Sequence, residues 1–524
     1  MSHNLFNDVI YNNVPMNTFD LSHNRKFSFN MGRLTPILTQ EVVPGDTFNV
    51  NQEQLIRMAP MVSPVMHRVN VSTHFFFVPN RLLWEGWEDF ITNPLDPSNP
   101  APFIANTGVQ DREIKVGSLA DYLGYPTGKI KSRKLNVFPI SAYYKIYDDY
   151  YRDQNLVPEE LTALVDGNNN TNSNINTAFN EPPRKRCWEK DYFTSALPSP
   201  QKGEAVSVPL GTTANIDYVP TGKTYIKDYG GGQVVQGSLD TGVDVGGSVP
   251  ITIPAGGPPG ESVNIDNTEN LIVDLTTATA VTIEDLRRAT RLQEWLEINA
   301  RGGNRYIENI QNHFGVKSSD ARLQRAEYLG GGKSNISFSE VLQMSASDET
   351  TPQGNMAGHG INVGNTHGFS RTFEEHGFII GIMSVMPDTA YLNPTPKWAT
   401  RLDPLEYLWP KFAQLGEQKV YNYEVDGEYP DADAYDVFGY QSRYADYKYT
   451  HSTVHGDMKT SLDFWHMARG FEFHNPVLNS EFVEANPTHR IFAVEDENEH
   501  KLYCVLFNRI KARRALPRYN IPTL

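Results

Sequence analysis

The chain has 524 residues and a mass of 59.1 kDa, of which 39% are hydrophobic and 21% charged. This composition excludes a wholly disordered chain, a collagen-like chain and a coiled coil. The formal net charge of −16 excludes a protein that coats nucleic acid with most of its surface, so any such contact is confined to a local patch.

Cysteine content and apolar runs indicate a soluble protein without disulfides. The two cysteines, Cys187 and Cys504, fit a reducing compartment or one in which no disulfide is needed. The amino-terminal sequence MSHNLFNDVI has no apolar run and therefore predicts no signal peptide. The longest apolar stretch, 378–386, has nine residues, whereas a membrane span needs about 18.

The first elements along the chain are an arm and several strands. Residues 1–26 are polar and rich in asparagine, which predicts an extended arm rather than a packed element. Alternation of apolar residues predicts a strand over 67–78, with Val69, Val71 and Phe75 on one face. Segments 371–386 and 501–510 are predicted to form two further strands. The last has apolar residues on both faces, which is typical of a strand buried between layers.

Apolar residues at helical spacing predict three helices, at 82–91, 141–151 and 282–300. Thr282 and Asp285 form a plausible amino-terminal cap for the third helix, and Gly302 and Gly303 end it.

Three stretches are predicted to be long loops: 167–180, which is rich in asparagine, 201–274, which is rich in glycine, and 345–368. The second is acidic, keeps short β-like runs at 205–210 and 249–253, and is interpreted as an inserted β-rich lobe. Long strands separated by very long connections predict a mainly β protein, a sandwich whose loops carry the function.

Nucleotide and metal motifs are incomplete. The run at 330–334 ends like a phosphate-binding loop, but Glu327 occupies the place of the first glycine, so we expect a flexible loop between a helix and a strand. His451 and His455 have the spacing of two zinc ligands, yet Ser452 stands where that motif needs glutamate. The acidic run at 426–436 lacks calcium-loop spacing and indicates a solvated loop. We expect no metal and no cofactor.

The sequence carries no nucleophile motif that would indicate an enzyme. Cys187 follows three cations at 184–186, which would lower a thiol pKa. Nothing in the sequence pairs this thiol with a particular histidine. We expect a structural cysteine and no catalytic residue.

The carboxyl-terminal region reverses the sign of the chain's charge. No acidic residue follows Glu499. Two interpretations remain open, a solvated tail and a contact with phosphate, because each Lys or Arg that meets a phosphate displaces a counterion. The basic residues at the end of the last strand and after it are Arg509, Lys511, Arg513, Arg514 and Arg518.

Several motifs in order along the chain resemble the major capsid proteins of microviruses, the small icosahedral single-stranded-DNA phages. They are FNMGRLTP at 29–36, PGDTF at 44–48, the strand at 69–79, IYDDYY at 146–151, YFTSALP at 192–198 and EHGF at 375–378. The likeness runs from near residue 4 to the end and is closest to the gokushovirus branch.

This resemblance implies a single eight-stranded viral jelly roll with long insertions, present in sixty copies in a T=1 shell around a circular single-stranded DNA genome. Residues 27–200 and 275–524 would form the two parts of the jelly roll. The lobe at 201–274 lies where the family has an insertion that protrudes at the three-fold axes. The implied partners are other copies of the chain in pentamers, packaged DNA, a small basic DNA-binding phage protein, an internal scaffolding protein and a host-surface receptor. The implied locations are the bacterial cytoplasm for assembly and the virion thereafter, without membrane insertion.

Two sets of site residues follow from these expectations. Cations of the carboxyl-terminal region and of the arm would contact DNA inside the shell, and tyrosines of the lobe would contact the host. The first set is Arg509, Lys511, Arg513, Arg514, Arg518, Arg25, Lys26 and Arg33, and the second is Tyr218, Tyr225 and Tyr229.

A second class of function is a carbohydrate-binding or carbohydrate-active β-sandwich. The 26 tyrosines, the 7 tryptophans and the long loops favour it. Aromatic residues are also what a large β core uses, so this feature does not separate the two classes.

Overall fold

The computed structural model describes residues 15–92, 100–105, 113–130, 133–204, 206, 283–303, 305–342, 356–494, 496 and 498–519, and the backbone of five short strands between 215 and 274. The chain divides into two compact units, one formed by 1–202 with 297–524 and the other by 203–296. Antiparallel sheets predominate and helices are few, which confirms the mainly β prediction. Within the described residues, no helix is long and apolar enough to cross a membrane.

Eight strands of the larger unit form two facing sheets. The first sheet has the order β1-β8-β3-β6 and the second the order β2-β7-β4-β5, and all of these pairs are antiparallel. This is the strand order of a jelly roll. The strands are β1 (His23–Phe29), β2 (Thr35–Val42), β3 (Thr47–Met58), β4 (Val69–Pro79), β5 (Glu327–Asn335), β6 (Met356–Thr372), β7 (Gly377–Pro387) and β8 (Leu502–Arg514).

Two short strands extend the first sheet. Asn17–Asp20 pairs with β8, and Ser337–Leu342 pairs with β6. Residues 17–26, which were expected in an extended arm, therefore belong to the sheet, and that part of the arm prediction is wrong. The reason is that backbone hydrogen bonds to the edge of β8 require no apolar side chains. Residues 1–14 of the arm lie outside the described residues.

The two sheets enclose one core, and the second sheet also has a core on its other face. Phe75 and Ile379 face the first sheet, whereas Phe76 and Ile380 face a layer of helices. Strands β4 and β7 are consequently buried almost throughout. The prediction that the last strand is buried on both faces is wrong, because among the described residues no layer covers the outer side of the first sheet and every second residue of β8 meets solvent.

The helical layer comes mainly from the long connection between β4 and β5. The helix Phe138–Ile146 continues as a π-helical turn, Tyr147–Tyr151, which confirms the predicted helix at 141–151. The predicted helix at 82–91 is a 3₁₀ turn, Asn80–Leu82, followed by α-helix only from Trp87. The α-helices are Trp87–Thr92, Leu119–Leu123, Phe138–Ile146, Ser173–Asn180, Ile283–Gly302, Tyr306–Phe314, Asn422–Val425 and Ser480–Val483.

Short elements make up most of the other connections. Four strand pairs occur among the described residues: Phe103–Ala105 with Lys134–Asn136, Glu113–Ile114 with Gly128–Lys129, Ala390–Tyr391 with Ser452–Thr453, and Glu417–Tyr421 with Val437–Ser442. The further 3₁₀ turns are Lys397–Ala399, Pro404–Glu406, Pro410–Phe412, Ala445–Tyr447, Gly456–Lys459, Asp463–Trp465 and Glu472–His474.

Three of the predicted loops and strands have different boundaries in the structure. The asparagine-rich segment contains the helix Ser173–Asn180, because the Asn172 side chain accepts hydrogen bonds from the first helical N–H groups and Ile175 and Phe179 are buried. Residues 356–368, expected in a loop, belong to β6. The predicted strand at 371–386 is divided, since β6 ends at Thr372 and β7 begins at Gly377.

The glycine-rich run at 330–332 is part of β5, so the prediction of a flexible loop there is wrong. A Cβ atom on Gly331 would lie 2.2 Å from the Thr73 carbonyl oxygen of the neighbouring strand. Glycine therefore permits a close approach between β4 and β5 rather than flexibility.

The smaller unit, 203–296, contains two small sheets and the first part of the helix Ile283–Gly302. Asn215–Tyr218 pairs with Leu271–Asp274, and Ile226–Asp228 pairs with both Val234–Val235 and Val263–Ile265. The unit thus extends beyond the predicted lobe, 201–274. The predicted runs at 205–210 and 249–253 lie outside the described residues except for residue 206.

Adjacent arginines at the end of β8 have opposite environments. Arg513 is exposed, whereas Arg514 points to the inner side, where its Nε lies 3.1 Å from the fully buried Asp46 carboxylate. Arg514 Nη2 also donates to the Glu41 carbonyl oxygen at 2.8 Å. The Asp46 carboxylate also accepts a hydrogen bond from the Val43 N–H at 3.1 Å, but Arg514 is the cation paired with it. Removing the cation from a buried ion pair is strongly destabilising.

We predict that Arg514→Gln lowers the free energy of unfolding by about 2 kcal/mol, between the values for exposed and fully buried ion pairs, since Arg514 is partly exposed. The measurement is chemical denaturation of the purified chain. The matched control is Arg513→Gln, for which we expect a change within about 0.5 kcal/mol. Equal effects of the two substitutions would contradict this assignment.

Candidate nucleic-acid interface

The outer face of the first sheet carries three of the basic residues near the end of the chain. Successive side chains of a strand point to opposite faces. Leu506, Ile510 and Ala512 of β8 are therefore buried between the sheets, and the alternate residues of the strand point outward. Those outward residues are Tyr503, Val505, Phe507, Arg509, Lys511 and Arg513.

The register of the neighbouring strands adds further cations to this face. Lys26 of β1 lies opposite Val505, and Arg57 of β3 lies opposite Tyr503. Residues directly opposite one another in an antiparallel pair share a face. Lys26, Arg57, Arg509, Lys511 and Arg513 are all exposed. We call these five residues the cationic face.

Two carboxylates lie on the same side of the sheet. Glu53 Oε1 is 3.0 Å from Arg509 Nη2, with both side chains about half exposed, so the pair contributes little energy and is readily exchanged for another anion. Asp20 lies opposite Lys511. Hydrogen bonds from Ser22 lower the pKa of Asp20, and the nearby Lys511 adds to this effect. The five cations outnumber these two acids in a chain whose net charge is −16.

Apolar and amide side chains surround the cations. Val363 of β6 and Leu55 of β3 continue the row that contains Val505, and Val363 and Tyr503 are exposed. Asn49 and Asn51 lie opposite Lys511 and Arg509. Such a surface offers charges for phosphate, aromatic rings for stacking and amides for hydrogen bonds, the groups that bind single-stranded nucleic acid without sequence preference.

Three arginines predicted to contact DNA lie elsewhere. Arg514 is paired with Asp46 on the inner side. Arg25 lies opposite Leu506 and its Nη2 donates to the Tyr122 carbonyl oxygen at 2.6 Å. Arg33 Nη1 donates to the Pro183 carbonyl oxygen at 3.1 Å. Burial lowers the pKa of both Arg25 and Arg33, so these side chains are not part of a solvent-facing set.

Two other residues of the carboxyl-terminal region are exposed. Arg518 and Tyr519 follow the end of β8, and Asn17 anchors the same segment by donating from its Nδ2 to the Leu516 carbonyl oxygen at 2.8 Å. The predicted set thus contributes Lys26, Arg509, Lys511 and Arg513 to one face, with Arg518 beyond the strand.

Sequence reasoning missed Arg57. The alternation of Phe48, Val50, Ile56 and Met58 with polar residues marks β3 as a strand with one solvent face. That signal places Arg57 outward, but only the long-range pairing with β8 places it beside Tyr503.

The predicted host-contact tyrosines are only partly described. Tyr225 and Tyr229 lie outside the described residues. Tyr218 ends the strand Asn215–Tyr218 of the smaller unit, and its side chain also lies outside them.

The incomplete motifs have structural roles in the described part of the chain. Lys333 of the glycine-rich strand lies 3.0 Å from Glu189. The His451 ring packs on Phe193, and His455 bonds to Thr453. Across the described ranges, no three His, Cys, Asp or Glu side chains form a group that could hold a metal ion. Asp426, at the start of the acidic run, is buried and its Oδ2 lies 2.8 Å from His474 Nδ1, so that residue is not solvated as expected.

Both thiols are buried. Burial raises the pKa of Cys187 to about 11 and that of Cys504 to about 12. Desolvation dominates the environment of the Cys187 thiol, so the cations that precede it in sequence do not produce a reactive thiolate.

A cavity of about 760 Å³ beside β4 and β5 also contains arginines, but these have internal partners. Arg186 Nη1 donates to Ser384 Oγ at 2.8 Å, and Arg152 Nε is 3.3 Å from Asp148 Oδ1. Burial lowers the pKa of His74 in this cavity to about 4, which leaves it neutral at physiological pH. The cavity is therefore less suited to phosphate than the cationic face.

Comparison with known proteins agrees with the motifs. A family model described as "Capsid protein (F protein)" matches residues 8–524. Capsid protein VP1 of Chlamydia phage 1 is 34% identical and the match covers 99% of this chain and 98% of that protein. The VP1 capsid proteins of Bdellovibrio phage phiMH2K and Spiroplasma virus 4 are 38% and 32% identical, with 89% and 98% of this chain and 87% and 96% of those proteins covered. The chain therefore belongs to the phage capsid protein (F protein) family.

Proposed function

We propose that copies of this chain assemble through pentamers into a T=1 shell of sixty subunits around a circular single-stranded DNA genome. The chain is a structural capsid protein by family, and the match along residues 8–524 is the observation that carries the proposal. Assembly takes place in the cytoplasm of the bacterial host, with a scaffolding protein as a further partner. The carbohydrate-binding alternative is not retained, because the relatives that match nearly the whole chain are capsid proteins.

We predict that the purified chain forms pentamers or shells and does not persist as a monomer at micromolar concentration. Obligate interfaces often bury more than about 2,000 Å², which strongly favours the associated state. Sedimentation velocity and electron microscopy measure the outcome. A stable 59 kDa monomer that unfolds cooperatively at low concentration would contradict the proposal.

The cationic face is the surface proposed to meet the packaged DNA. A shell that is acidic overall needs local positive charge wherever it contacts phosphate. Arg509, Lys511 and Arg513 supply that charge on one strand, and Tyr503 and Phe507 supply rings on which bases stack. Contacts of this kind read no base sequence, which suits a shell that accepts every part of a genome. A small basic phage protein is the alternative source of neutralising charge.

We predict that the triple substitution Arg509→Gln, Lys511→Gln and Arg513→Gln weakens binding of oligo-dT and lowers its salt dependence. Each phosphate contact to a single strand contributes about 0.7 to the slope of log K against log salt, so the slope falls by about 2 per subunit. Fluorescence anisotropy at several salt concentrations measures both quantities. The ratio of DNA-filled to empty particles falls in parallel.

The matched control is Arg68→Gln, Lys317→Gln and Arg322→Gln, which removes the same charge from exposed positions outside the strands of the first sheet. We expect this control to retain the salt slope and the filling of wild type. If both triple variants behaved alike, the effect would be one of net charge and the DNA assignment of the cationic face would be wrong.

The lobe at 201–274 is proposed to contact the host surface. The lobe is acidic, and its residues 203–274 belong to a compact unit separate from the one that holds the jelly roll, so we expect their removal to leave the jelly-roll core intact. Tyrosine provides binding area at low entropic cost, which makes Tyr218, Tyr225 and Tyr229 the proposed contacts.

We predict that replacing Tyr218, Tyr225 and Tyr229 by serine leaves particle yield unchanged and reduces adsorption to host cells at least tenfold, about 1.4 kcal/mol of binding free energy. Deletion of 207–274 with a flexible linker abolishes adsorption and preserves particles. Particles that lack the lobe and still adsorb normally would eliminate the receptor role and leave a role in contacts between subunits.

A further inference from the structure

The connection between β7 and β8 carries a group of large apolar side chains that face solvent. Trp398 is 72% exposed, Leu402 94% and Leu405 60%. Four further large residues in this region remain about half exposed. We call these seven residues the apolar patch: Trp398, Leu402, Leu405, Tyr407, Leu408, Trp409 and Tyr447.

The exposed area of the apolar patch exceeds that of the largest apolar patch on a typical monomeric protein. At roughly 150–250 Å² for a large side chain, an average exposure of about 60% leaves on the order of 800 Å² of exposed surface. The largest apolar patch of a typical monomer is about 300–600 Å². A standard interface buries about 800 Å² on each partner. The patch therefore has the area of one side of a protein–protein interface.

Internal hydrogen bonds hold this segment in place. The Leu408 N–H donates to the Tyr447 hydroxyl and the Trp409 N–H to the Tyr444 hydroxyl, both at 3.2 Å. Trp409 Nε1 donates to the Pro404 carbonyl oxygen at 2.9 Å, which fixes the indole ring. Because these polar groups are satisfied within the loop, the apolar side chains are presented outward with little ordering left to occur on binding.

The charges under the patch are already neutralised. Arg401 forms an ion pair with Asp446, and its guanidinium lies 4.2 Å from the centre of the Tyr447 ring. Gln418 Nε2 donates to the other Asp446 oxygen at 2.9 Å. A partner that covers the patch does not have to desolvate an unpaired charge there, a cost that would otherwise oppose association.

A recess opens beside the patch. A cavity of about 400 Å³ is lined by Trp398, Tyr447, Phe193 and Tyr449 and is mainly apolar. Anchoring side chains at the centre of an interface insert into recesses of this kind.

We propose that the apolar patch is a contact surface between subunits and that its occupant is a second copy of this chain. The inference rests on the proposed self-assembly. Exposed Asp403 and Glu406 border the patch together with exposed Lys411 and Lys448, and this mixed border lacks the excess of cations that nucleic acid as an occupant would require. In a shell of identical subunits every copy repeats this surface, so a partner present in equal number is required, and another copy meets that requirement.

The first experiment introduces a charge at the most exposed position. Leu402→Glu raises the concentration needed for assembly of the purified chain at least tenfold, with an unchanged circular dichroism spectrum. The matched control, Val116→Glu, changes a side chain that is 84% exposed in a turn outside the patch, and assembly shifts less than twofold. Sedimentation velocity measures both variants.

The second experiment measures whether assembly shields position 402 from a reagent in solution. In Leu402→Cys the new thiol reacts with a maleimide at least 100-fold more slowly in particles made from the chain alone than in free subunits, whereas the Val116→Cys thiol reacts equally in both. The native thiols contribute little background, since burial holds their pKa at about 11 and about 12.

Three outcomes would overturn the proposal. They are assembly of Leu402→Glu like wild type, full reactivity of the Leu402→Cys thiol in particles, and protection in virions but not in particles of the chain alone, which would assign the patch to another virion component. Failure of the wild-type chain to assemble would instead count against the proposed function.

Discussion

The fold depends on covering both faces of the second sheet. Strands β4 and β7 are buried almost along their whole length, with one set of side chains packed against the first sheet and the alternate set against helices. A sheet of this kind is stable only when two layers exclude water from it. The long connection between β4 and β5 is therefore structural as well as a site for insertion. Its helix Phe138–Ile146 supplies the Tyr143 side chain, whose hydroxyl donates to the Leu34 carbonyl oxygen at 3.0 Å.

The first sheet differs from the second in its burial, since the described residues cover only one of its faces. The free face tolerates charge, and this is what allows an acidic chain to display a cluster of cations. Because successive side chains of β8 point to opposite faces, its two neighbouring arginines have different environments. Arg513 faces solvent, and Arg514 forms an ion pair with the buried Asp46. Counting basic residues along the sequence does not distinguish these two positions, because the distinction arises from the pleat and from the partner across the core.

The sequence predicted the features that depend on interactions between residues close together in the chain. The mainly β class, the strand at β4, the helix at 141–151 and the helix Ile283–Gly302 follow from periodicity, and the ordered motifs indicated the family. The predicted cap residue Thr282 lies outside the described residues. Features that depend on distant partners were missed. The sequence around Gly331 predicts a loop, because it does not show the close contact with Thr73 on the neighbouring strand. The sequence of residues 17–26 predicts an arm, because it does not show the pairing with β8. In the candidate interface, Lys26 and Arg57 join β8 only through pairings across more than 400 residues of sequence.

The position of β8 has a consequence for how the chain matures. This strand lies between β1 and β3, yet it is the last strand of the jelly roll to be synthesised. During translation amino-terminal segments emerge first, so β1 and β3 lack their central partner until β8 has been made and has left the ribosome. A chain cut short before residue 502 leaves that gap unfilled and exposes two strand edges. Such an edge invites aggregation or proteolysis. Completion of the first sheet therefore depends on the segment of the chain that is made last among its strands.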